Sequence, residues 1–124
     1  MEYGYKRTIQ NNFEDAEIKL KESLAEQGFG VITEIDVKKT FQNKINKDFK
    51  KYKILGACHP QVAFDALSMD EQIGLLLPCN FVIWENEDKS TTVAAIDSRA
   101  QLSLSGNDEL AHHAEEINVK LIKA

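Results

Sequence analysis

The sequence has few of the features that commit a chain to secretion, to a membrane or to a disulfide framework. It holds two cysteines, Cys58 and Cys79, in 124 residues, too few to build a disulfide scaffold. Its longest apolar run, Ile73 to Leu77, falls far short of the roughly 20 residues that cross a bilayer. The N-terminal segment carries a charge every few residues and contains no apolar signal core. We therefore expect a cytoplasmic chain that makes no membrane contact.

Positive charge is also scarce, since 15 Lys and Arg stand against 20 Asp and Glu, a formal net charge of −5. Phosphate binding requires a basic surface, so nucleic acid is not expected as the main partner. A phosphate loop, a nucleophile elbow and a zinc-protease helix motif are all missing. The 43% of hydrophobic residues suffices for one packed core. The sequence thus predicts a single domain over residues 1–124 and leaves open whether it is an enzyme.

Hydrophobic periodicity predicts strands that alternate with helices. The strands are expected at 3–11, 29–37, 52–58, 81–85 and 91–96, and the helices at 13–27, 37–46 and 60–69, with a last helix from about residue 107. We expect Val31, Thr33 and Ile35 to share one face of the second strand, and Phe41 and Ile45 to be the buried pair of the second helix. This order predicts an α+β fold, a two-layer domain with a mixed or antiparallel sheet and helices mainly on one face. The second sheet face would then be available for a homodimer.

Three ungapped segments carry a family resemblance. They read FGVITEIDV at 29–37, YKILGACHP at 52–60 and GLLLPCN at 74–80. In that order they resemble the domain-of-unknown-function family DUF302, whose pattern runs close to GFGVLTEIDV, YKILGACNP and IGLLLPCNV. His59 departs from it, because the family often has Asn there. The resemblance implies a compact, often dimeric α+β domain similar to the TATA-box-binding-protein fold, and it implies no reaction.

The first candidate site combines Cys58 and His59 with Cys79 and Asn80. Cys58 ends a predicted strand just before a helix begins, where unpaired N–H groups favour a thiolate. Cys79 opens another strand after a proline, so the two cysteines meet at one sheet edge if their strands are neighbours. Two thiolates and the His59 imidazole are donors that Zn²⁺ accepts in an open site. The same thiols can instead cycle between dithiol and disulfide, or remain inert and buried.

A second candidate is the pair Glu34 and Asp36, which lie two residues apart on a strand and therefore share a face. Paired carboxylates perform acid–base chemistry when their surroundings separate their pKa values. The alternative is that Glu34 is solvated or salt-bridged and Asp36 caps the following helix.

These observations support three functional hypotheses. The leading one is a homodimeric binding module for a metal ion, with Zn²⁺ as the candidate, or for a small ligand near Cys58, His59 and Cys79. The second is a thiol-redox accessory protein or an enzyme with Cys58 as its reactive thiol. The third is a structural or regulatory interaction domain.

Overall fold

The structure, a computed structural model, describes residues 3–97 of the chain. The predicted helix from residue 107 lies outside these residues. The described elements are β1 (Gly4–Ile9), α1 (Phe13–Glu26), β2 (Gly30–Asp36), α2 (Val37–Ile45), β3 (Tyr52–Cys58), α3 (Pro60–Met69), a 3₁₀ helix (Glu71–Leu76), β4 (Cys79–Glu85) and β5 (Thr91–Ile96). Within this range, no helix is both long and apolar enough to cross a membrane.

The five strands form one sheet in the order β1-β5-β4-β3-β2, and every neighbouring pair is antiparallel. Strands β2, β3, β4 and β5 are neighbours in chain order. The first strand, β1, lies beside the last strand, β5. The predicted α+β class is therefore confirmed, and its sheet is wholly antiparallel. Because β3 and β4 are antiparallel, the end of β3 lies beside the start of β4.

Helix α1 forms because its apolar residues recur at helical spacing and its start is capped. The Asn12 side chain accepts a hydrogen bond from the Asp15 backbone N–H at 2.8 Å, which satisfies one of the helix's free donors. The chain leaves the helix through Gly28, whose φ of 86° favours a residue without a side chain. The inward face of α1, which includes Leu20 and Leu24, is buried.

The main core lies between one face of the sheet and the helices. Leu20 and Leu24 of α1 and Ala66 of α3 pack with strand residues that include Leu55 and Phe81. Both helices therefore cover the same side of the sheet, which we call the helix face. This arrangement agrees with the two-layer prediction.

The other side, which we call the open face, carries a row of apolar residues that crosses four strands. Ile35 pairs with Ile54, Ile54 with Val82, and Val82 with Ala94. Antiparallel partners project from the same face, so these side chains form a continuous strip. Ile35 is 49% exposed at the β2 end of that strip.

The prediction that Val31 shares a face of β2 with Thr33 and Ile35 is wrong. Val31 pairs with Ala57 and Thr33 pairs with the adjacent Gly56, so Ile32 is an extra residue in a β-bulge. The bulge reverses the alternation, which directs Val31 to the helix face while Thr33 and Ile35 point to the open face.

The expected burial of Ile45 in α2 is also wrong, because Ile45 is 59% exposed. Phe41 is half-buried and contacts the Phe49 ring edge-on, with centroids 5.3 Å apart. Helix α2 joins β2 to β3 and adds no residue to the core clusters found among residues 3–97. The apolar side chains of α2 therefore stay outside these core clusters.

Candidate functional site

A cavity of about 300 Å³ lies where β3 passes into α3. The turn is tight because Cys58 ends the strand and Pro60 begins the helix, where the missing N–H of proline costs no hydrogen bond. The 3₁₀ helix and the segment before β4 complete the wall. Most of the lining is apolar and includes Phe29, Val62, Ala63, Ala66, Leu67 and Leu77. We call this space the α3 cavity.

His59 contributes the imidazole to this wall. Its ring packs edge-on against Phe29, with the centroids 5.4 Å apart and the planes at 81°. The Nδ1 atom is buried. A Cβ placed on Gly28 would lie 2.9 Å from Nε2 of His59, so the glycine that ends α1 also leaves room for the imidazole.

The two cysteines lie on neighbouring strands, as the hypothesis of a shared sheet edge required. Cys79 pairs with Ala57, the residue before Cys58. Both cysteines border the cavity; Cys79 is buried, Cys58 is half-buried, and they form no disulfide. Consecutive strand residues project from opposite faces, so this register directs the Cys58 and Cys79 side chains to different sides of the sheet.

The zinc hypothesis gains no support from these positions. In the part of the chain that the structure describes, no group of three or more His, Cys, Asp or Glu residues is arranged to hold a metal ion. A structural Zn²⁺ needs four ligands that converge on one point, and a catalytic one needs three. The divergent directions of Cys58 and Cys79 work against that convergence.

The remaining candidate residues lie away from the cavity. Asn80 pairs with Gly56, is exposed, and is not among the lining residues. Glu34 pairs with Leu55 at the middle of β3, and Asp36 pairs with Lys53, towards the opposite end of β3 from Cys58. Cys58, His59 and Cys79 therefore border the cavity together, and the other three candidates do not line it.

Asp36 and Glu34 have different structural roles. Asp36 Oδ1 accepts a hydrogen bond from the Lys39 backbone N–H at 3.0 Å and so caps α2. Glu34 Oε1 accepts a hydrogen bond from Lys53 Nζ at 2.9 Å, and Lys21 Nζ approaches the other carboxylate oxygen at 3.3 Å. These contacts suit a cap and an ion pair rather than an acid–base pair.

The Lys53 ammonium group joins two carboxylates, because it also contacts Glu17 at 3.0 Å. The hydrogen bond from Lys53 holds the pKa of Glu34 below its ordinary value. Burial alone would lower the pKa of Lys53, but hydrogen bonds to Glu34 and Glu17 outweigh it and raise that pKa. Glu34 and Lys53 therefore stay charged at neutral pH, which favours a structural network.

The aliphatic part of the α3 cavity was not evident from the sequence. Leu67, Gly74 and Leu77 come from α3, the 3₁₀ helix and the residue after it. The available signal was the apolar run Ile73 to Leu77, which directly follows an amphipathic helix and ends at a proline. That run predicts burial, but its spacing does not say that a cavity remains beside it.

Comparison with known proteins gives a family and a fold. The family model described as domain of unknown function DUF302 matches residues 5–124. No curated protein matches the sequence. The crystal structure of an uncharacterized conserved DUF302 protein from Bacillus stearothermophilus has a TM-score of 0.90 and 24% sequence identity, over 98% of this chain and 94% of that chain. At this identity the likeness establishes the fold alone.

Proposed function

The chain belongs to the DUF302 family, and from the geometry of its α3 cavity we propose that it is a non-enzymatic binding module for a small, largely apolar ligand. The observation that carries this proposal is a cavity of about 300 Å³ with an apolar wall that also contains Cys58, His59 and Cys79. Small-molecule sites combine mostly apolar linings with a few polar groups that fix orientation. The α3 cavity has both components.

The dimensions and lining define the class of ligand. A volume of about 300 Å³ is at the lower end of the range for small-molecule sites, which favours a compact molecule. Phe29 offers an aromatic surface, and Leu67 at 42% exposure lies at the boundary between cavity and solvent. Burial of a ligand's apolar surface against such walls supplies most of the binding free energy.

Ligand binding has more support here than the metal or thiol-redox hypotheses. A Zn²⁺ site built on both cysteines and a Cys58–Cys79 disulfide each need the two sulfurs to approach each other or a shared ion. The pairing of Cys79 with Ala57 directs the two side chains apart. A ligand in the cavity needs only that both residues border it, as they do.

We also propose that the module is a homodimer and that the open-face row from Ile35 to Ala94 forms its interface. Four cross-strand neighbours make the strip continuous and apolar, and Ile35 is half exposed. A second copy of the same strip would bury this surface in a symmetric, self-complementary contact.

Titration of the full-length protein with indole, a compact and largely apolar probe, tests the ligand proposal. We expect saturable binding, followed by amide chemical shifts at Val62 and Ala63. Ala63→Leu fills the cavity and is expected to weaken binding about tenfold or more, because overpacking costs about 1–3 kcal/mol. The matched control is Ala25→Leu at an exposed position of α1, which should bind like the parent protein.

A second variant that fills the α3 cavity keeps the test decisive if the Ala63→Leu protein does not fold. A Cβ on Gly74 would meet only Leu67 Cδ2, at 3.9 Å, so Gly74→Val adds volume at the cavity without a clash at its first atom. The proposal is wrong if the parent protein shows no saturable binding. It is equally wrong if both folded filling variants bind indole as tightly as the parent.

A further inference from the structure

A second concave surface lies on the helix face between α1 and the edge strand β1. Its volume is about 380 Å³, and none of its described lining residues is shared with the α3 cavity. The apolar lining includes Ile9, Leu20, Phe81 and Val93. Phe81 and Leu20 are buried, whereas Ile9 and Val93 are half-buried. We call this surface the α1–β1 groove.

Two cationic side chains line the same groove, Arg7 from β1 and Lys19 from α1, and the described lining contains no Asp or Glu. Lys6 of β1 also borders the groove, but it pairs with Ala94 and its side chain therefore projects to the open face. Arg7 pairs with Val93, so strand geometry directs its side chain to the helix face beside the apolar lining. In a chain of net charge −5, this groove is a local region of positive charge.

These cations differ from the lysines of the neighbouring network. Lys21 and Lys53 each contact two carboxylates. By contrast, Arg7 and Lys19 form no ion pair with any other residue in the range 3–97. Their charges are therefore available to an anion that enters the groove.

We propose that the α1–β1 groove binds an amphiphilic carboxylate of the medium-chain fatty acid class. Its hydrocarbon part lies along Ile9, Leu20 and Val93, where burial of apolar surface drives association. Its carboxylate lies at the edge, where the Arg7 guanidinium donates two parallel hydrogen bonds and Lys19 adds a second charge. Charge complementarity thus selects a monoanion with an apolar body.

Calorimetric titration of the full-length protein with octanoate, and with 1-octanol as the uncharged counterpart, tests this proposal. We expect octanoate to bind more tightly than octanol, and the difference to shrink as salt is raised. Arg7→Gln and Lys19→Gln should each weaken octanoate binding about fivefold and leave octanol binding unchanged, since an exposed ion pair contributes up to about 1 kcal/mol. The matched control is Lys44→Gln, an exposed cation on α2 outside the groove.

Three results would overturn the proposal. The first is equal binding of octanoate and octanol, which would show that charge makes no contribution. The second is octanoate binding that Lys44→Gln weakens as much as Arg7→Gln does. The third is a set of nuclear Overhauser contacts, in the ligand-free full-length protein, between the Val93 methyl groups and residues 98–124, which would show that the chain itself occupies the groove.

Discussion

Replacement of Gly56 by alanine should destabilise the fold through one steric conflict. Gly56 is buried in β3 and lies on the side of the open face, next to Thr33 across the β2 bulge. A Cβ at this position would collide with Thr33 Oγ1 and would lie 2.7 Å from Pro78 Cγ. The φ angle of Gly56 is not positive, so space, and not backbone conformation, requires the glycine.

The expected loss follows from two opposing effects. Overpacking of a buried site costs about 1–3 kcal/mol. A glycine-to-alanine change without a clash stabilises by about 0.4–1 kcal/mol, because it restricts the unfolded chain. We therefore expect Gly56→Ala to lower the free energy of unfolding by about 1–2 kcal/mol, which is a fall of roughly 0.5–1 M in the urea midpoint at a slope of about 2 kcal/mol/M.

Urea unfolding followed by circular dichroism measures this loss, and Gly30→Ala is the matched control. Gly30 is also a strand glycine, but its Cβ would meet nothing within 4 Å. Thr33→Ala in the Gly56→Ala background should restore part of the stability, since it removes the hydroxyl but not the Pro78 contact. Equal midpoints for Gly56→Ala and Gly30→Ala, within experimental error, would refute the steric explanation.

Two further predictions concern the Glu34 ion pair and the open face. The pKa of Glu34 lies below its ordinary value of 4.5 because Lys53 donates a hydrogen bond to the carboxylate. The ion pair therefore stabilises the fold fully above about pH 5, and this stabilisation is lost as pH falls through the lower pKa of the folded state. Glu34→Gln should therefore lower the free energy of unfolding at pH 7 by less than about 1 kcal/mol for this partly exposed pair, and lower it less at pH 3. Urea unfolding at the two pH values measures this difference, with the exposed Glu22→Gln protein as the control. A constant difference at both pH values would contradict the prediction. Ile35→Lys should convert the proposed homodimer to a monomer in sedimentation equilibrium. Ile45→Lys, at a somewhat more exposed position on α2, should not. A monomeric parent protein would contradict the dimer.

The elements with strong local signals were predictable from the sequence. β3, α3 and β5 have the predicted bounds, because Pro60 fixes a helix start and the polar segment before Thr91 separates two apolar strands. The strand β4 begins at Cys79, as the position after Pro78 predicted, and two residues before the start that the hairpin pattern predicted. Residues at a strand end show little alternation of their own, so pairing with β3 determines where β4 begins.

The long-range features were not predictable in the same way. The bulge at Ile32 exists only relative to β3, and a single strand's sequence does not show which of its residues lacks a partner. For the site, the sequence singled out Cys58, His59 and Cys79, which do border one cavity. The volume itself depends on how α3 and the 3₁₀ helix pack, because residues such as Leu67 and Gly74 meet the cysteines only in three dimensions.

The pairing of β1 with β5 has a consequence for the order of folding. Strands β2 to β5 are joined to their sheet neighbours in sequence, whereas Gly4 must find Ile96 across almost the entire described chain. Closure of so long a loop costs more entropy than closure of the hairpin between β4 and β5. We therefore expect strands β2 to β5 to form first and the N-terminal strand to complete the sheet last, when β5 already offers it an edge.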